Sequence, residues 1–127
     1  MESPEIPLTF EILQPKIRTE SSSPAVFFLH GYGANELDLM SLSCYFPSDT
    51  FIISLHAPFP LVSGHCWYPI NFSAIGGVPE QPDLDFLNQS MGLIKQSRDS
   101  LINLYNLDHT RIGLLGFSQG TILSLSL

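Results

Sequence analysis

Charge is scarce in this chain. Aspartate, glutamate, lysine and arginine make up 13% of the 127 residues, and only five of them are basic. Twelve acidic residues leave a formal net charge of −7. Nucleic-acid binders cluster basic side chains to displace counterions, so scattered cations on an acidic chain exclude nucleic acid as a partner. A polybasic membrane-surface signal is excluded on the same ground. Cysteine is as rare: Cys44 and Cys66 stand in no metal-type spacing. Residues 1–15 show no basic segment followed by an apolar one, so no secretion signal is read there and both thiols are expected to stay reduced in a cytoplasmic protein. No apolar run approaches the ~20 residues of a membrane span, so no integral membrane segment is expected. The four histidines show no i, i+4 pair and no shared face. Neither a metal nor any other cofactor is therefore expected.

What is present is apolar. Hydrophobic residues make up 44% of the chain. That content suits a globular core, and the length suits one domain over residues 1–127. Residues 8–13 alternate, with Leu8, Phe10 and Ile12 on one face and Thr9 and Glu11 on the other. This pattern predicts a half-buried strand near a sheet edge, ended by Pro15. Residues 25–29 (Ala-Val-Phe-Phe-Leu) and 50–55 (Thr-Phe-Ile-Ile-Ser-Leu) are apolar without alternation. Both read as strands buried on two faces, as in a parallel sheet. Between them, Asn35 as N-cap, Asp38, and Leu39, Leu42 and Phe46 at helical spacing predict an amphipathic helix stopped by Pro47.

Residues 57–82 read as a long irregular loop with five prolines, carrying Trp67, Tyr68 and Phe72. A loop of this length in a compact domain is usually functional. Its aromatics suit either a pocket wall or loop packing. Residues 83–106 carry the longest helical stripe, Leu84, Leu87, Met91, Ile94, Leu101 and Tyr105, weakened by about 1 kcal/mol at Gly92, where a helix can break. A strand over 111–115 and an apolar helix from Thr121 follow. The order of elements predicts an α/β fold with a mostly parallel sheet flanked by helices.

Between that last strand and helix lies Gly116-Phe117-Ser118-Gln119-Gly120, of the form G-x-S-x-G. A sharp strand-to-helix turn exposes such a serine at the tip of the sheet, where the helix N-terminus favours an oxyanion. A Cβ at either glycine would crowd the crossing of strand and helix. Ligands of parallel α/β sheets bind beyond the carboxyl ends of the strands. That edge should gather the glycine loop His30-Gly31-Tyr32-Gly33, the chain after His56, and the elbow. Backbone N–H groups of Tyr32 and Gln119 then stand where oxyanion donors belong, and Gly31 and Gly33 let the backbone approach a substrate. His30 is expected to shape this loop by hydrogen bonding. His56 and His65 are expected to line the pocket or to be solvated rather than to act as a base, and His109 starts its strand at the wrong end of the sheet.

These residues carry a family resemblance. Leu29-His30-Gly31-Tyr32-Gly33-Ala34-Asn35 with Asp38-Leu39 resembles the oxyanion loop of the phospholipase/carboxylesterase family of α/β-hydrolases, which includes small esterases and acyl-protein thioesterases. Ala57-Pro58, Gly64 and Trp67-Tyr68 are similar to its substrate-side loop, and Arg111-Ile112 leading into Gly116–Gly120 is similar to its elbow. The resemblance implies Ser118 as nucleophile and Tyr32 and Gln119 as oxyanion donors. It implies His30, Gly31, Gly33 and Trp67 on the substrate side, and a small acyl ester or thioester as substrate. In that family the triad aspartate and histidine lie downstream of the serine, whereas here the sequence stops at Leu127. The expectation is the N-terminal portion of an α/β-hydrolase, truncated after the elbow and inactive as it stands. Its elbow strand would be an exposed edge open to self-association. A non-catalytic acyl-binding or protein-interaction remnant of the same fold is the alternative.

Overall fold

The β-branched and aromatic runs form the sheet on which the rest is mounted. The computed structural model describes residues 6–18, 21–70 and 84–127. The elements in chain order are β1 (Phe10–Leu13), β2 (Ser23–Leu29), a 3₁₀ helix (Met40–Tyr45), β3 (Phe51–Leu55), β4 (Phe59–Pro60), β5 (His65–Cys66), α1 (Leu84–Tyr105), β6 (Leu107–Gly116) and α2 (Gln119–Ser126). The main sheet has the order β1-β3-β2-β6. Strands β3, β2 and β6 run parallel, and β1 lies antiparallel against β3 at one edge. The elbow strand β6 forms the other edge among the described residues, as expected.

Register explains why the loops converge. Leu29 stands opposite Leu55 on one side and Gly116 on the other. The three parallel strands therefore end level, and His30, His56 and Phe117 leave the sheet side by side. Strands β2 and β3 are buried on both faces. On one face Phe27, Leu29, Ile53 and Leu55 pack with Trp67, Ile94, Leu101 and Leu123. On the other, Phe28 and Ile52 pack with Leu39 and the half-buried Leu42 and Phe46.

The structure corrects several local expectations. The amphipathic α-helix expected from Asn35 is instead a run of turns leading into a 3₁₀ helix. Its bonds are of i→i+3 type, Leu42 N–H to Leu39 at 2.9 Å and Phe46 N–H to Ser43 at 3.2 Å. Leu39 and Leu42, three apart, share one side of a 3₁₀ turn as they would of an α-helix, so the apolar face is kept while the helix type changes. The loop after Ala57 holds a small antiparallel hairpin, β4 with β5. Phe72 and Asp83 lie outside the described residues. Leu84 is 67% exposed, while Ser90 and Ser97 join Ile94 and Leu101 on the buried stripe. Both serines have partners: Ser90 Oγ donates to the Trp67 carbonyl, and Ser97 Oγ accepts the Leu8 N–H at 3.3 Å.

Helix α1 runs through Gly92 without a break. A Cβ built there meets nothing within 4 Å. Gly92→Ala should therefore gain about 1 kcal/mol from helix propensity and reduced freedom of the unfolded chain. A thermal melt checks this, with an expected rise of a few degrees.

Candidate active site

The elbow is built by backbone strain and two obligatory glycines. Ser118 has φ 56° and ψ −118°, a region that costs a non-glycine residue about 1–3 kcal/mol. The surrounding bonds hold it there. Phe117 N–H donates to the Leu29 carbonyl at 3.1 Å, fixing the end of β6 against β2. Gly120 and Thr121 N–H groups donate to Phe117 and Ser118 carbonyls, each at 3.0 Å, starting α2. A Cβ at Gly116 would lie 2.4 Å from the Gly120 carbonyl oxygen, and one at Gly120 would lie 2.0 Å from that of Leu29. Ser118 is thus exposed at the tip of the sheet, without a capping hydrogen bond to α2.

The glycine loop lies directly against it. A Cβ at Gly31 would sit 3.2 Å from Ser118 Cβ. His30, fully buried, fixes the loop's start. Its ring is 2.9 Å from the Gly31 carbonyl at Nδ1 and 3.0 Å from the Ala57 N–H at Nε2. The first contact needs a donor and the second an acceptor, which selects the neutral Nδ1–H tautomer. Burial pushes the His30 pKa down, in keeping with a neutral ring, although the Gly31 bond works the other way. Gly33, at φ 80°, donates to the His65 carbonyl at 2.9 Å, and the Ala34 carbonyl accepts from His65 N–H at 3.0 Å. Gly64 is needed beside them, since a Cβ there would stand 2.0 Å from the Gly33 oxygen. Tyr32 sits half-buried between these two anchor points.

Trp67 and Gln119 support the site from below. Trp67 is fully buried, its indole N–H donates to the His30 carbonyl at 2.7 Å, and its ring lies 5.3 Å from the His30 ring. The structure thus places the side chains of His30 and Trp67 beneath the glycine loop and away from its open surface. Gln119 is buried as the first residue of α2, so its N–H belongs to the unpaired first turn. Its side chain has a second task that sequence reasoning missed. Oε1 accepts the Trp67 N–H at 2.9 Å, and Nε2 donates to the Tyr68 carbonyl at 2.6 Å. The amide clamps the elbow to the aromatic loop.

A second missed feature lies across the edge. His56 Nδ1 pairs with Glu36 Oε2, and the His65 ring packs edge-on at 4.0 Å from that of His56. Burial alone would raise the Glu36 pKa, but hydrogen bonds from His56 and from the backbone outweigh it and the net shift is down. His65 is pushed down by desolvation and by His56. The turn that replaces the expected helix brings residue 36 to His56. A cleft of about 230 Å³ opens beside the pair, lined in part by Thr9, Pro58 and His65. No cluster of three or more metal-ligating side chains forms among the described residues. No helix among them is long and apolar enough to cross a membrane.

Known proteins share this fold. The chain resembles the carboxylesterase from Mesorhizobium loti (TM-score 0.78, 18% identity), covering 97% of this chain and 55% of that one. The Bacillus cereus carboxylesterase gives a TM-score of 0.75 at 23% identity, over 94% of this chain and 52% of that one. The acyl-protein thioesterase 2 of Zea mays gives 0.59 at 20% identity, over 92% of this chain and 49% of that one. At such identities the likeness shows the fold, an α/β-hydrolase fold with a mixed, mostly parallel sheet. The chain spans about half the length of these solved structures. No curated protein sequence matches it. The family model described as Phospholipase/Carboxylesterase matches residues 10–127. With an elbow and a glycine loop seated against each other at one sheet edge, this chain belongs to the phospholipase/carboxylesterase family.

Proposed function

We propose that these residues carry the nucleophile and oxyanion cradle of a serine hydrolase acting on acyl esters or thioesters. The observation that supports this most is the close approach of Gly31 to Ser118, where an added Cβ would stand 3.2 Å from Ser118 Cβ, so that an exposed serine on a strained turn faces a glycine loop. In the reaction, Ser118 Oγ attacks the acyl carbonyl and its proton passes to a base. The carbonyl oxygen becomes an oxyanion held by the Tyr32 and Gln119 N–H groups. The C–O or C–S bond then breaks, and the leaving alkoxide or thiolate takes the proton. Water repeats the sequence on the acyl-serine and returns the enzyme. Each oxyanion donor is worth about 2.7–4 kcal/mol in such sites. Gly31 and Gly33 admit the substrate to the backbone, while His30 and Trp67 act from beneath by holding that backbone in place.

None of His30, His56 and His109 is set as a base for Ser118. His30 has both ring nitrogens engaged, His56 is turned to Glu36, and His109 lies near the start of β6, the end remote from Gly116. We assign the base and its orienting carboxylate to residues beyond this span, so that residues 1–127 are one incomplete domain without efficient turnover. Its open β6 edge, with Leu114 exposed on the strand and Ile122 exposed on α2 after it, would favour self-association. A fluorophosphonate probe tests the reading. A chain extended to the length of the solved relatives should label at Ser118 and lose the label in Ser118→Ala, whereas the 127-residue chain should label slowly. No labelling of the extended chain would sink the hydrolase reading. Fast, stoichiometric labelling of the short chain would sink the claim that the base lies elsewhere.

A further inference from the structure

Glu36 and His56 do not touch Ser118 and the chemistry above leaves them unused, yet Glu36 sits on the loop that carries Tyr32 and His56 follows β3 beside it. That loop leaves β2 at His30 and must hold its shape over an exposed edge. Its near side is fixed by His30. Its far side has two attachments. One is backbone, the paired bonds of Gly33 and Ala34 with His65. The other is the Glu36–His56 pair, which ties the loop to the residue that follows β3. The two attachments meet, because the His65 ring packs on the His56 ring at 4.0 Å. His56 is itself fixed by its backbone N–H, which donates to the Thr9 carbonyl at 2.8 Å.

We propose that Glu36 and His56 form a positioning pair that holds the Tyr32 N–H in register with the oxyanion that forms on the substrate as Ser118 attacks. The inference rests on the nucleophile reading of Ser118. Both members have side chains only 21% exposed, so the pair is shielded more than a surface ion pair. The titratable groups facing His56 are Glu36 on the loop, His65 on β5 and His30 at the end of β2; the segment before β1 contributes Leu8 and Thr9, and α1 contributes Leu93. Either protonation state of His56 can donate Nδ1–H to an ionised Glu36. The pairing is lost when Glu36 takes up a proton. Because the Glu36 pKa lies below its ordinary value, the pair's contribution is present through the neutral range and lost as pH falls through that lowered value.

The test uses the 127-residue chain and a fluorophosphonate at pH 9, where hydroxide assists the missing base. The rate constant of phosphonylation at Ser118 and the half-saturating probe concentration are read separately. Glu36→Ala and His56→Ala should each slow the bond-forming step roughly ten- to a hundredfold, a part of the loss seen when an oxyanion donor is removed outright. Half-saturation should stay unchanged. The double variant should be no slower than either single one, and His56→Gln, which keeps a donor, should recover most of the rate. A thermal melt of each variant separates misfolding from mispositioning, and His56→Gln carries the test if an alanine variant does not fold. Unchanged rates in folded variants, or additive losses, would overturn the positioning role alone. Absence of any Ser118 labelling in the parent chain would instead overturn the nucleophile reading, and this inference with it.

Discussion

Gly120→Ala should cost more than about 4 kcal/mol and leave the chain largely unfolded. The added Cβ would stand 2.0 Å from the Leu29 carbonyl oxygen, 2.6 Å from its carbon and 2.9 Å from the His30 oxygen. All three are backbone atoms at the end of the central strand β2, so no rotamer change relieves the contact. Either α2 lifts off the sheet or β2 is displaced, and both separate Leu123 from the buried cluster it joins. Domains are commonly stable by about 5–15 kcal/mol, so such a loss is comparable with the whole. Gly116→Ala should be severe too, though one of its near contacts, Ser124 Oγ at 2.6 Å, is a side chain that can move. Urea denaturation checks the prediction, with Gly92→Ala as a control of opposite sign. A Gly120→Ala protein within about 1 kcal/mol of the parent would show that the elbow does not approach β2 as described.

Gln119→Leu should destabilise by roughly 2–6 kcal/mol with little change of volume. It strips partners from the Trp67 N–H and the Tyr68 carbonyl at once, and each buried orphan costs about 1–3 kcal/mol. Trp67 and Tyr68 are 0% and 4% exposed, so water does not readily replace the amide. The chain's single tryptophan reports the change. Trp67 emission should shift to longer wavelength in Gln119→Leu under native conditions, as the loop over α1 loosens. Gln119→Glu separates geometry from polarity. Its carboxylate still accepts the Trp67 N–H but sets an oxygen against the Tyr68 carbonyl, so it should fall between the parent and the leucine variant. An unshifted emission together with parental stability would remove the clamp from the account.

Much of the fold is legible in the sequence because its signals are redundant. Residues 25–29 and 50–55 are apolar at every register, and both became strands buried on two faces. The stripe of α1 survives at Ile94 and Leu101 because a 22-residue helix offers many turns over which periodicity can be read. It errs at Leu84, the first residue of the helix, which is exposed. Residues 35–46 were the harder case. A spacing of three suits both a 3₁₀ and an α-helix, and Ser41, Ser43 and the nearby Pro47 weaken the longer α-helical solution. The β4–β5 hairpin escapes because two-residue strands cannot display alternation and Pro60 argues against a strand.

The site divides in the same way. The positions of Ser118, Gly31, Gly33 and the two elbow glycines follow from backbone requirements, which a local motif expresses. What Gln119, Glu36 and His56 do with their side chains depends on partners 51, 20 and 20 residues away, respectively. No local pattern encodes those pairings. His30 and Trp67 show the limit from the other side: their place near the loop was readable, but their burial beneath it goes with partners remote in the chain, Ala57 for His30 and Ser90 for Trp67.

The central claim is that Ser118 accepts an acyl group in the cradle of Tyr32 and Gln119. Intact-mass measurement of the 127-residue chain after incubation with a p-nitrophenyl acyl ester tests it directly. Without a base to activate water, the acyl-serine should form slowly and persist, giving one added acyl mass that maps to the peptide holding Ser118 and disappears in Ser118→Ala. An adduct that maps to another nucleophile such as the exposed Cys44, or one that survives Ser118→Ala, would contradict the account.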